Sequence, residues 1–143
     1  MAGAYNMALL LGAALSAIAA LLHLGIIVGG PAWYRFFGAG ERMATMAEQG
    51  KLYPAVLTLG IAAVLAVWAA YALSGAGLLA PLPLLKAGLC VIAAVYLLRG
   101  LAIVPLLTVA RSKSTPFLLW SSVICLGYGI VHAIGLRQIW HTL

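Results

Sequence analysis

The sequence predicts an all-α integral membrane protein, a four-transmembrane-helix bundle with a short interfacial helix between helices 1 and 2. Three observations predict it. Mean hydropathy is +1.16. The chain holds four apolar runs long enough to cross a bilayer. Charged residues make up only 7% of its 143 residues and lie mostly at the edges of those runs. Soluble domains carry about a quarter charged residues, and a small domain in water buries too little surface to hide this much Leu, Ala, Val and Ile.

The elements follow in order. Residues 8–29 supply the roughly 20 apolar positions of a spanning helix, and no charged side chain precedes Arg35. A cleavable signal peptide has a basic start and a shorter core, so this segment is expected to stay in the mature protein as helix 1. Gly29, Gly30 and Pro31 end it, and Trp33, Tyr34, Arg35, Phe36 and Phe37 have the aromatic and basic character of a membrane interface. A short helix over 39–49 would carry Glu41, Thr45 and Glu48 on one face and Met43, Met46 and Ala47 on the other, the pattern of a helix lying among headgroups.

Helix 2 is expected over 53–73, with Pro54 in its first turn and Ser74–Gly77 as its stop. Helix 3, over 84–109, follows Pro81 and Pro83 and is expected to be interrupted by Arg99 and by Pro105. Helix 4 covers 117–140. Without a linker or convincing repeat, residues 1–143 read as a single transmembrane domain.

The net charge of +6 comes from eight Lys and Arg against two Glu. Arg35, Arg42, Lys51, Arg111 and Lys113 fall in the first and third loops, while Lys86 and Arg137 lie on the other side. The positive-inside rule then puts those two loops in the cytoplasm and both termini outside, the topology expected in a bacterial-type inner (plasma) membrane. The cations are scattered singly, not set in a basic stripe with exposed aromatics, so nucleic acid is not an expected partner. Membrane lipids are.

Helices in lipid associate through small residues and polar contacts. Such positions share a face on helix 1 (Gly12, Ser16, Ala19, Ala20, His23), on helix 3 (Gly88, Ile92, Tyr96, Arg99) and on helix 4 (Ser121, Cys125, Tyr128, Gly129, His132, Gly135). A polar interior follows. At about 1.5 Å of rise per residue, His23, Arg99 and His132 lie roughly 9, 15 and 21 Å from the cytoplasmic helix ends, so they cannot meet at one point.

Arg99 leads the candidates, since an Arg near mid-span costs about 2.5 to 3.5 kcal/mol on insertion scales and calls for a partner. Three are open: Glu41 folding back, carbonyls loosened ahead of Pro105, or an anionic ligand, with snorkelling to the headgroups as the plain alternative. His23 and His132 have the chemistry of proton carriers or metal ligands, yet an interhelical hydrogen bond is the simpler expectation for each. Glu41 directly follows the pliable Phe36–Gly40 segment, which is able to bring backbone close to helix 1 and His23. Cys90 and Cys125 read as small hydrophobes.

No Asp occurs, and no Glu lies within a span. That removes the carboxylates of proton-coupled exporters and intramembrane aspartyl proteases. No zinc motif, nucleophile elbow or phosphate loop is present, so no catalytic set, metal or cofactor is expected. The expected function is binding of an amphipathic or anionic ligand, of lipid or quinone type, with Arg99, His23, Tyr96, Glu41, His132, Tyr34 and Arg35 as its residues. The alternatives are an oligomeric proton or small-solute transporter and an assembly subunit, with a homo-oligomer or a larger membrane complex as the partner.

Overall fold

The computed structural model describes residues 4–143. The chain is all-α, with four helices of 23, 23, 24 and 23 residues long and apolar enough to cross a membrane. Each is about 35 Å long at helical rise, against a hydrocarbon core of about 30 Å. No more than 28% of the most apolar stretch of any span is buried, so side chains such as Val28, Leu98 and Ile18 face outward, as lipid-exposed residues do.

Helix α1 covers Met7–Gly29. Asn6 caps it, its Oδ1 accepting from the Leu9 N–H at 2.9 Å. Gly30 then takes φ 68, and Pro31 opens a six-residue helix, α2 (Pro31–Phe36). The sequence predicts only an interfacial stretch here; the reversal at Gly30 and the preset φ of Pro31 allow a separate turn of helix. The interfacial helix is α3, Glu41–Glu48. Helix α4 covers Tyr53–Gly75, and Ser74 braces the turn after it, donating to the Ala80 carbonyl and accepting from the Leu82 N–H.

The third span is two helices, α5 (Leu85–Leu101) and α6 (Ile103–Thr108). The expectation of a break at Arg99 is corrected: α5 runs through Arg99 unbroken. Pro105 has no N–H to offer the Leu101 carbonyl four residues back, and the helix yields there. Helix α7, Pro116–Gln138, starts at Thr115, whose side chain accepts from the Leu118 N–H, with Pro116 in its first turn.

The contacts resolve the chain into two compact units. One comprises the described residues up to Ser16 together with Trp68–Leu143. Its apolar core is Leu9, Ala76, Leu89 and Leu136, and its helices approach through glycines. A Cβ on Gly100 would lie 2.5 Å from the Leu126 backbone nitrogen, and one on Gly129 would lie 2.7 Å from Leu97 Cγ. This is the close backbone approach by which membrane helices associate. Asn6 adds a polar tie, donating to the Gly135 carbonyl at 2.9 Å.

The other unit is Ala17–Val67. Ile26, Tyr34 and Ala44 form its core, with Phe37, Met43 and Ala47 packed against them. The Tyr34 hydroxyl pairs with Thr58 Oγ1 at 3.2 Å, and Thr58 donates in turn to the Pro54 carbonyl.

Candidate functional site

Polar side chains in the first unit follow one line along α5 and α7. Arg99 reaches across to α7, its Nη1 donating to Ser122 Oγ at 2.9 Å and its Nη2 to Ser121 Oγ at 2.8 Å. Both serines donate to the Leu118 carbonyl, which turns their lone pairs toward the guanidinium. These partners are neutral. Of the guanidinium's five N–H donors, the Nε–H and one on each terminal nitrogen have no acceptor among the described residues.

One turn back on α5, Tyr96 is 5% exposed. Its hydroxyl pairs with Ser16 Oγ at 2.9 Å, and its ring is enclosed by Trp68, Tyr128 and His132 at centroid distances of 5.0, 5.3 and 5.2 Å. His132 is fully buried. Its Nδ1 donates to the Tyr128 carbonyl at 2.7 Å, which leaves Nε2 the acceptor in the neutral ring, and Nε2 has no hydrogen-bond partner among the described residues. A buried polar atom without a partner is uncommon in proteins.

Arg99, Tyr96 and His132 thus lie in one unit. His23, Tyr34, Arg35 and Glu41 belong to the other. There Glu41 and His23 have separate partners. His23 Nδ1 bonds the Ala19 carbonyl of its own helix at 2.7 Å, and Glu41 is held by Arg35. The Arg35 Nε donates to both Glu41 oxygens at 3.0 Å, Nη2 to Glu41 at 2.7 Å and Nη1 to Glu48 at 2.6 Å. These hydrogen bonds to Arg35 hold both carboxyls below the usual carboxylate range, and the Glu41 carboxylate above all raises the guanidinium pKa further. The interhelical hydrogen bonds expected of His23 and His132 are corrected, since each ring bonds a carbonyl four residues back on its own helix.

The chain has two carboxylate side chains, and one arginine engages both. Arg99 has neither.

Sequence reasoning missed the partners of Arg99 and a cleft at the other end of α5. Ser121 and Ser122 stand one turn inside α7, so the signal was a pair of hydroxyls on the face opposite an unpaired cation. The cleft, about 700 Å³, is lined by Leu84, Leu85, Lys86, Cys90, Ile139 and Thr142 among others. Lys86 Nζ there donates to the Trp140 carbonyl at 3.0 Å and sits 4.0 Å above the Trp140 ring. Cys90 and Cys125 are free thiols, half-buried, and among the described residues no group of three His, Cys, Asp or Glu could hold a metal ion.

Compared with known proteins, the chain matches no family model, no curated protein and no solved structure. The chemistry of the side chains therefore carries the functional reading.

Proposed function

We propose that this small polytopic membrane protein binds an anionic amphiphile, with Arg99 receiving the anionic group. One observation carries the reading: a cation within an apolar span is fixed by two neutral hydroxyls while Arg35 engages both side-chain carboxylates of the chain. Neutral partners orient a guanidinium but leave its charge uncompensated, and such a group attracts a phosphate or carboxylate with bidentate geometry. Under the positive-inside rule Arg99 faces the cytoplasmic leaflet, where anionic headgroups concentrate. Tyr96 and its aromatic neighbours form the apolar floor beneath it. Native mass spectrometry after mild detergent extraction tests the proposal: the protein retains phosphatidylglycerol over phosphatidylcholine, and Arg99→Gln retains less phosphatidylglycerol than wild type. Equal retention by both forms contradicts it.

A second reading, proton or small-solute passage, has the unpartnered Nε2 of His132 in its favour. Asn6, His132, Tyr96 with Ser16, and Arg99 follow one another along the first unit, and an imidazole is the one side chain in that series suited to exchanging a proton near neutral pH. Proton flux into liposomes that falls to background in His132→Leu supports passage. Identical flux in protein-free and protein-containing vesicles rules it out.

A further inference from the structure

We propose a second anionic-lipid site at the opposite end of α5, in which Lys86 holds the phosphate of a phospholipid whose acyl chain lies along Leu84 and Leu85. Thirteen residues separate Lys86 from Arg99, roughly 20 Å along the helix, so the two cations serve opposite leaflets.

The cleft there has about 700 Å³ of space, within the range of known small-molecule pockets. Lys86 is the one charged side chain on its wall. It is held in place by two contacts to Trp140, a carbonyl dipole and a ring face. Neither cancels its charge, and it makes no ion pair among the described residues. One of its three ammonium hydrogens is committed to the Trp140 carbonyl, so two are left for phosphate oxygens. A fixed cation costs a ligand less to engage than a mobile one, because its ordering has already occurred.

The walls select the rest of the ligand. Leu85 and Ile139 line the cleft, and at its rim Leu84 is 82% exposed. A soluble anion would leave these apolar surfaces uncovered, whereas an acyl chain covers them. Trp140 beside the cation has the position aromatic side chains take at headgroup level. Cation, apolar wall and interfacial tryptophan together fit an anionic phospholipid in preference to a zwitterionic one, whose own ammonium would repel Lys86.

The test is quenching of tryptophan fluorescence by brominated lipid, in a form whose only tryptophan is Trp140, with Trp33, Trp68 and Trp120 replaced by Phe. Brominated phosphatidylglycerol should associate about five-fold more strongly than brominated phosphatidylcholine, as one lysine near an anionic surface implies. Lys86→Gln should bring the two lipids level, while Arg99→Gln leaves the preference intact, and inorganic phosphate should not compete. Should the tryptophan replacements prevent folding, native mass spectrometry of wild type and Lys86→Gln at rising phosphatidylglycerol gives the same reading as the loss of one bound lipid. Equal quenching by both lipids, or equal lipid counts in both forms, overturns the proposal. A preference lost in Arg99→Gln instead would place the headgroup at the other end of the helix and overturn it equally.

Discussion

The imidazole of His132 packs face-on against Gly12, close enough that a methyl group at position 12 would come within 2.9 Å of Cε1 and 3.0 Å of Nε2. First and last spans meet through a glycine and a buried ring, so room at position 12 is set by an aromatic plane that cannot bend aside. Gly12→Ala is therefore expected to destabilise the protein by about 1–3 kcal/mol, read from unfolding in a detergent series. Gly60→Ala provides the control. Nothing lies within 4 Å of its added methyl, and Ala favours helix over Gly by up to about 1 kcal/mol, so stability should hold or rise.

Gly100→Ala should be the most damaging of the glycine changes. Its added Cβ would meet the Leu126 nitrogen at 2.5 Å and Cα at 2.6 Å, which are main-chain atoms of α7 and have no rotamer to escape into. Destabilisation at or beyond the upper end of about 1–3 kcal/mol is expected. A Gly100→Ala protein as stable as wild type would show that α5 and α7 are not in this register.

Ser122→Ala removes the hydroxyl that accepts from Arg99 Nη1 and should cost about 0.5–2 kcal/mol, in the range of hydrogen bonds between membrane helices. In a double-mutant cycle with Arg99→Gln the two losses should fall short of additive. Full additivity would mean that the pair does not interact.

Acid should loosen the α2–α3 connection. The Glu41 and Glu48 carboxyls sit below the usual carboxylate range chiefly through hydrogen bonds to Arg35. Groups with lowered pKa values contribute stability that is present above their unfolded values and lost as pH falls through the folded ones. Carbon-13 titration of the two glutamates should show midpoints below the usual range in wild type. Arg35→Gln should move both upward. Unmoved midpoints would break the link between Arg35 and these acids.

The four spans are legible in the sequence because lipid thickness sets a minimum apolar length and each run meets it. The inward faces are legible because small and polar residues recur at helical spacing: Gly12, Ser16, Tyr96, Gly129 and His132 are all buried. The break in the third span is legible at Pro105, which leaves a carbonyl without a donor, and only the interruption expected at Arg99 is absent. Three things were not legible. The α2 helix is six residues long and rests on the backbone sign change at Gly30, which composition does not register. The partners of Arg99 are ordinary serines on another helix, whereas reasoning from charge looked for a carboxylate, and Arg35 holds both of those. The Lys86 cleft depends on how the chain after α7 returns to the start of α5, a tertiary relationship with no local signature.

On the proposed function, the counter-ion of Arg99 comes from the bilayer. Thermal unfolding in neutral detergent with added phosphatidylglycerol or phosphatidylcholine measures it directly, in wild type, Arg99→Gln and Arg99→Lys. Phosphatidylglycerol should raise the midpoint of wild type above that with phosphatidylcholine, Arg99→Gln should lose part of that difference, and Arg99→Lys should keep more of it than Arg99→Gln. If the two lipids shift wild type and Arg99→Gln by the same amounts, the guanidinium has no anion to receive and the proposal is wrong.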